Sequence, residues 1–532
     1  MKHFLLLPIV LLLPTLSLML RPGVWTTHDF HFFRQFEFDK CIQDKIFPCR
    51  WAPDAGLGYG EPVFNFYGQF PYWLGTIFRS LNFSVIDSVK ILFALSLSLS
   101  AASMFFLSRR FWGDLGGVIS SLFYVYAPYR AVDVWVRGAL PEALSFILYP
   151  LILVFIDTKK YLLFSLSLAF LLLTHNLSLF MFLPFLIIWW LVRSRDLKFV
   201  IVLPITLLLS AFYLLPVIFE KNLITLSQVT QSYYNYQLHW ATLKQIFISR
   251  FWDYGGSVWG PNDTLSFSAG HLHWIIPLVV FAILASRYLT LYPSPRLGEG
   301  LKGRGIKELG LVIFLGFLAL FLTHGKSEFI WKLVPGLPYI QFPWRFLSMS
   351  TLFLSLAAGA AAQLMSKKTI PYLLLLLLFT NASFFRPDIW RHIADREQFS
   401  GALWDEQPSS ALNDFWPVSA PKLPDSFAPE LPWAVLGEIV PLSQSRLEVL
   451  SSYANIYFPV VYFPGWTGIV DGKETAVFPH GDLGLVTMRL PSGQHQVTLE
   501  FKDTLVRSLG NVISLTTLLG ITSWVLFHKK YA

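Results

Sequence analysis

The stretch "FLLLPIVLLLPTLSLMLRPGVWTTHDFHFFRQFEFD", Phe4–Asp39, decides how this chain is to be read. Its first seventeen residues are apolar, close to the roughly 20 that a helix needs to cross a bilayer. The part from Trp25 to Asp39 then sets two histidines, an arginine and three carboxylates among phenylalanines. Met1-Lys2-His3 and the apolar run together look like a signal peptide. No small-x-small cleavage site closes the run, and more apolar runs follow, so it reads as an uncleaved first helix.

Composition supports this outward from the N-terminus. The chain has 532 residues, 54% hydrophobic and 14% charged, with a mean hydropathy of +0.53. A soluble protein carries about 25% charged residues, so the expected class is an α-helical polytopic membrane protein. The net charge of +8 fits cytoplasmic Lys and Arg and implies no nucleic-acid partner. Cys41 and Cys49 are the two cysteines. They are either a disulfide, if their loop faces an oxidising space, or two free thiols, and alone they lack the ligands for zinc.

Apolar runs predict about twelve spans, near residues 4–20, 88–107, 113–128, 142–156, 161–173, 178–192, 199–218, 273–286, 309–323, 346–365, 369–385 and 509–527. Alternate connections are short and basic: Arg109-Arg110, Lys159-Lys160, Arg193/Arg195/Lys198, Arg287–Lys307, Lys367-Lys368 and Lys529-Lys530. The positive-inside rule puts these, and both termini, in the cytoplasm. Residues 21–87, 129–141 and 219–272 become outer loops of a core covering 1–385. Residues 386–508 open with charged and Pro-rich sequence and then alternate in β fashion from about Ser445, with "DGKE" and "PSGQ" as hairpin turns. They predict a small extracytoplasmic β-rich domain, followed by a last helix and cytoplasmic tail in 509–532.

Ionisable groups at bilayer depth are expensive and usually paired or functional. His28 and Asp29 stand where the chain leaves the first span, with His31, Arg34 and Gln35 beyond. An amphipathic interfacial helix explains the phenylalanines, but not that placement. The second outer loop, "YRAVDVWVRGALPEAL", crowds Arg130, Asp133, Arg137 and Glu142 together. Asp133 and Arg137 suit an i,i+4 pair, and Glu142 follows Pro141 at a helix start. Such a cluster also suits a divalent metal, Mg or Mn, held with a phosphate, because Arg binds phosphate bidentately. His175 in "THNLS" and Gln341 and Arg345 in "QFPWRFL" lie at the same expected face. No phosphate loop, HExxH, GxSxG or CxxC competes.

The order of these motifs resembles the GT-C superfamily of integral-membrane glycosyltransferases. It is most similar to membrane proteins labelled 6-pyruvoyl-tetrahydropterin synthase-related, and "YFPGWTGIVDGKE" with "LPSGQHQVTLEF" resembles the outer β-domain of YfhO-like proteins. The pterin label implies no activity, since no zinc-dependent pterin constellation is present. The GT-C resemblance implies a polyprenyl-phosphate-linked sugar donor, membrane lipids as partners, and transfer to a lipid, glycan or protein on the outer face of the plasma membrane. It makes Asp29 the base or metal ligand, with His28 beside it. Asp133 or Glu142 takes the second acidic position, although the usual Asp-x-Asp spacing is absent. Tentative metal ligands are Asp29 and Asp133, and expected substrate contacts are Arg34, Arg130, Arg137, His175, Gln341 and Arg345. Two other readings stay open: a glycolipid flippase and a non-catalytic envelope assembly protein.

Overall fold

The computed structural model describes residues 15–16, 19–225, 230–258, 263–291, 301–409, 415–443 and 445–531. Most of the expected first span, and residues 292–300 of the basic connection, lie outside them. Among the described residues, seven helical segments are long and apolar enough to cross a membrane, with an eighth if a bent pair counts as one. The protein is an integral membrane protein on this ground. The segments from residue 88 onward that were expected to span are helical, but Tyr161–Thr174 and Ile370–Phe384 are shorter than a bilayer needs.

Contacts divide the chain into two units. One comprises Met1–Phe32, Phe70–Leu203 and Val229–Ala394, and the other Phe33–Gln69, Pro204–Gln228 and Asp395–Ala532. In the first unit the longest helical run, Val85–Val125, is broken at Gly113, whose φ of 72° leaves the helical region. The Ser121 hydroxyl donates to the Ala101 carbonyl at 2.8 Å, and Ser108 meets Ser120 at 2.7 Å. Residues twenty apart on one straight helix would be about 30 Å apart, so the run is a hairpin of two antiparallel arms. Small residues make the fold-back possible: a Cβ on Gly117 would strike the Phe105 ring at 2.7 Å. Buried serines along the first arm return their hydroxyls to their own helix, as Ser96 does to Phe93 O at 2.7 Å. That satisfies them without water.

The two ends of these helices differ chemically. At one end Arg193 bonds Asp157 at 2.8 Å and also pairs with Glu308. The opposite end carries the loops after Val125, after Thr174 and before Leu347. There Val24–Trp25 (β1) pairs antiparallel with Trp390–Arg391 (β2). Trp25 is buried against Phe93 and Trp135, and its indole donates to Val134 O at 3.2 Å. The chain leaving residue 20 is thereby fixed along the segment that carries Val134 and Trp135.

In the second unit seven antiparallel strands form the β-rich part: Trp433–Leu436 (β3), Ile439–Ser443 (β4), Arg446–Val461 (β5), Trp466–Val470 (β6), Lys473–Thr475 (β7), Phe478–His480 (β8) and Leu485–Phe501 (β9). Their main path runs β3-β5-β9-β6-β7. "DGKE" is the hairpin turn expected, with Asp471 and Gly472 at φ of 50° and 79° between β6 and β7. "PSGQ" is not a turn. It lies inside β9, where the register with β5 shifts between Val449 and Tyr453. Gly493, at φ of 125°, absorbs the irregularity that its sequence suggested was a reversal.

Cys41 and Cys49 are bridged, with Cα atoms 5.6 Å apart. The helices Lys198–Leu209 and Ala211–Leu223 meet at 76°. The break frees backbone groups, which Ser514 and Arg50 take up. Ser514 donates to Leu208 O and accepts from Phe212 N, and Arg50 donates to Phe212 O at 2.8 Å. Glu220 joins them, accepting from Arg507 at 3.0 Å, Asn65 at 2.7 Å and Thr504 at 2.7 Å. The last helix, Leu505–Tyr531, is held at its start by this buried polar set.

Glu37, fully buried, accepts from Asp54 N at 2.8 Å and lies 3.1 Å from the Lys40 ammonium. Burial, then the neighbouring Asp54 charge, push its carboxyl up to about 8. A raised carboxyl favours the folded state at low pH and loses that contribution as pH climbs from about 4.5 toward about 8. Thermal unfolding in detergent should therefore show lower stability at pH 9 than at pH 5, by on the order of a few kcal/mol. Glu37→Gln should flatten that slope, and an unchanged slope would refute the assignment.

Candidate functional site

The site is built on an unusual piece of backbone. Pro128–Ala131 is one helical turn, and Val132–Arg137 continues it as a π-helix. π-Helical turns are rare and concentrate at functional sites. The turn closes at Gly138, in the left-handed region at φ of 64°, where a Cβ would lie 2.5 Å from the Thr27 side chain. Glycine is required there both for conformation and for room. The chain just after Trp25 lies against this segment: His28 N donates to Val136 O at 3.2 Å and Asp29 N to Arg137 O at 3.0 Å.

Arg137 is the hub. Its Nη1 donates to Glu142 Oε2 at 2.7 Å, Asp133 Oδ1 at 3.0 Å and the Tyr129 hydroxyl at 3.2 Å. Its guanidinium stacks 4.9 Å from the Trp344 ring centre. Tyr129 in turn donates to Glu142 Oε1 at 2.6 Å. Asp133 and Glu142 are buried, while Arg137 keeps 12% of its side chain exposed. Arg345 sits within electrostatic reach of Asp133 and Glu142 and donates to Ile340 O at 3.0 Å and the Gln341 side chain at 3.4 Å. Burial, with the Glu142 charge adding to it and Arg137 opposing, holds the Asp133 carboxyl well above the usual range. A carboxyl that favours its proton is a poor base, so Asp133 is an anchor for Arg137.

Asp29 is placed differently. Its side chain is 27% exposed and its Oδ2 lies 2.9 Å from His31 Nε2. His31 is buried, and its Nδ1 meets the hydroxyl of buried Tyr72 at 2.9 Å. The other carboxylate oxygen accepts from Phe30 N. Asp29 is thus oriented through both oxygens and still reachable. His175, in the extended break between two helices, bonds Ser178 at 2.6 Å. Burial pushes its imidazole down to about 4, against the pull of Glu142. It is neutral at physiological pH, within electrostatic reach of Asp29, Arg137, Glu142 and Arg345.

Residues 29, 137, 142, 175 and 345, far apart in sequence, therefore gather at one end of the first unit. Three expected contacts do not join them. His28 is turned to Tyr254 O at 2.8 Å, because it precedes the helix beginning at His31 and points to the third outer loop. Arg130 is fully buried among the helices, donating to Ala143 O and Ser96 O at 3.2 Å and packing 4.0 Å from the Phe146 ring. It cannot meet a substrate there. Arg34 belongs to the second unit, stacked 4.5 Å from the Tyr67 ring. His31, Tyr72 and Tyr129 are site residues that the sequence reading undervalued. Only the two-residue spacing of Asp29 and His31 hinted at them. Among the described residues no group of three or more His, Cys, Asp or Glu side chains is arranged to hold a metal. Of the Asp29–Asp133 pair expected to hold a metal, Asp133 is buried and bonds Arg137 at 3.0 Å through one oxygen, with Arg130 3.9 Å from the other.

No protein-family model matches the chain, and no curated protein does. Among solved structures, the cryo-EM structure of the arabinofuranosyltransferase AftD from Mycobacteria aligns with a TM-score of 0.44 and 13% identity. The alignment covers 72% of this chain and 26% of that one, so the chain spans about a quarter of that protein's length.

Arg137→Met should cost about 3–5 kcal/mol, because it strands Glu142 in a buried site without its cation. Asp133→Asn should cost about 1 kcal/mol or less, since the amide oxygen still accepts from Arg137. Denaturation of both variants in the same detergent checks this ranking, and equal losses would contradict it.

Proposed function

We propose that the protein is an integral-membrane glycosyltransferase of the GT-C kind. It would move a sugar from a polyprenyl-phosphate donor to a lipid, glycan or protein acceptor at the extracytoplasmic face. The observation that carries this reading is the pairing of one oriented, reachable carboxylate with a guanidinium that still has donors to offer. Asp29 is that carboxylate. Arg137 spends Nη1 on its three acceptors, and its remaining guanidinium nitrogens make no hydrogen bond among the described residues.

In the proposed step the acceptor hydroxyl oxygen attacks the anomeric carbon, and its proton passes to Asp29. The bond from that carbon to the phosphate oxygen breaks, and the polyprenyl phosphate leaves with the electron pair. The leaving phosphate gains one negative charge, which Arg137 and Arg345 would stabilise where it develops. His31, steadied by Tyr72, holds Asp29 in the geometry a general base needs. Glu142 and Asp133 keep Arg137 in place without taking part in proton transfer. No step is assigned to a metal.

The extracytoplasmic assignment has two supports. Two of the basic connections expected in the cytoplasm, those of Arg110 and Arg193, meet at Asp157 at the helix ends away from the cluster. The Cys41–Cys49 bridge, twelve residues beyond Asp29 with no span between, suits an oxidising compartment.

Transfer of labelled sugar from polyprenyl-phosphate donors, in membranes carrying the protein, tests the role of Asp29. Asp29→Asn should lower transfer by about 10²-fold or more, the usual contribution of a positioned base. Undiminished transfer would remove Asp29 from the chemistry.

A further inference from the structure

Beyond the cluster, an aromatic strip leads away from its two arginines. The Arg137 guanidinium stacks on Trp344, and Trp344 stacks on Phe342 with ring centres 5.1 Å apart. Arg345 lies 5.0 Å from the same Phe342 ring. Phe342 meets Tyr233 at 5.9 Å, edge to face. Trp344 and Phe342 are buried, but Tyr233 is 45% exposed. The Tyr233 ring is therefore no more than about 11 Å from the Arg345 guanidinium.

Tyr233 is exposed without being loose. His239 packs on its ring at 5.1 Å and Tyr234 at 5.5 Å. His239 is itself pinned, reaching Ser257 Oγ at 2.8 Å and bonding the Tyr233 carbonyl. Two non-glycine residues with positive φ, Ser232 at 50° and Gln341 at 66°, immediately precede Tyr233 and Phe342. Such backbone is strained and clusters at sites such as ligand clamps. A tyrosine of the interfacial belt offers its hydroxyl to water and its ring to lipid. Here the ring is held by His239, Tyr234 and Phe342 while the residue stays open to its surroundings.

We infer that Tyr233 is the platform on which the sugar ring of the phosphate-linked donor stacks, with the phosphate on Arg137 and Arg345. This rests on the proposed function. The aromatic face would meet the C–H face of the sugar, while the hydroxyls on the ring edge stay solvated. Holding the platform rigid before the ligand arrives reduces the entropy lost on binding. The same arrangement favours a lipid phosphate that carries a sugar over one that does not.

Binding to the full chain in lipid nanodiscs tests this, using polyprenyl phosphate, polyprenyl-phosphoryl hexose and polyprenyl-phosphoryl pentose as probes. The wild type should bind one of the sugar-bearing lipids about tenfold more tightly than bare polyprenyl phosphate, the scale of one good aromatic contact. Tyr233→Ala should erase that advantage and leave bare polyprenyl phosphate binding unchanged. Tyr233→Phe, which keeps the ring, should retain most of it. A sugar advantage that survives Tyr233→Ala overturns the inference, as does a wild type with no such advantage. Equal weakening of all three lipids by Tyr233→Ala overturns it too, since that is how a belt residue would behave. Failure of the wild type to bind polyprenyl phosphate at all overturns the proposed function and this inference together.

Discussion

The arrangement around Arg137 is the constraint on which the rest of the site depends. One nitrogen of a largely buried guanidinium serves two carboxylates and a tyrosine, and an indole covers its face. Taking these charges out of water costs several kcal/mol per ion, and only close geometry repays it. That cost explains the local backbone. Asp133, Arg137 and Glu142 can converge because a π-helical turn and a left-handed Gly138 reverse the chain between them. His28 and Asp29 then run beside this reversal through backbone hydrogen bonds, so Asp29 is carried to the cluster by main-chain pairing.

The same economy recurs elsewhere in the molecule. Where the helix near residue 210 breaks, Ser514 and Arg50 receive the freed backbone groups. Where helices approach closely, glycine or serine stands at the contact, as at Gly116 and Gly359. In an apolar surrounding, every exposed backbone group needs an internal partner. Arg130 shows how meeting that need differs from catalysis: it is as buried as Asp133, yet its donors end on carbonyls of neighbouring helices.

Much of the fold was legible because membrane spans and strands announce themselves by simple periodicities. The apolar runs from residue 88 onward became helices, and the alternating stretch after residue 430 became a sheet. Local signals failed where two conformations share one sequence cue. "PSGQ" has hairpin chemistry but sits in a strand, because β9 continues its pairing with β5 on both sides of Gly493. His28 and His31 looked equivalent by helical spacing. The helix begins only at His31, so the two rings leave the chain in different directions.

By itself, the sequence determined the class of the molecule and the residues available for chemistry. Hydrophobic runs and charge asymmetry are properties of segments, and they need no knowledge of neighbours. The tertiary structure decided which of those residues act together. It brought Asp29, Arg137, Glu142, His175 and Arg345 to one end of the first unit, removed Arg130 into the helices, and aligned Tyr233 with the arginines through Phe342 and Trp344. Such convergence depends on how helix ends and loops pack across hundreds of residues. No spacing along the chain encodes it.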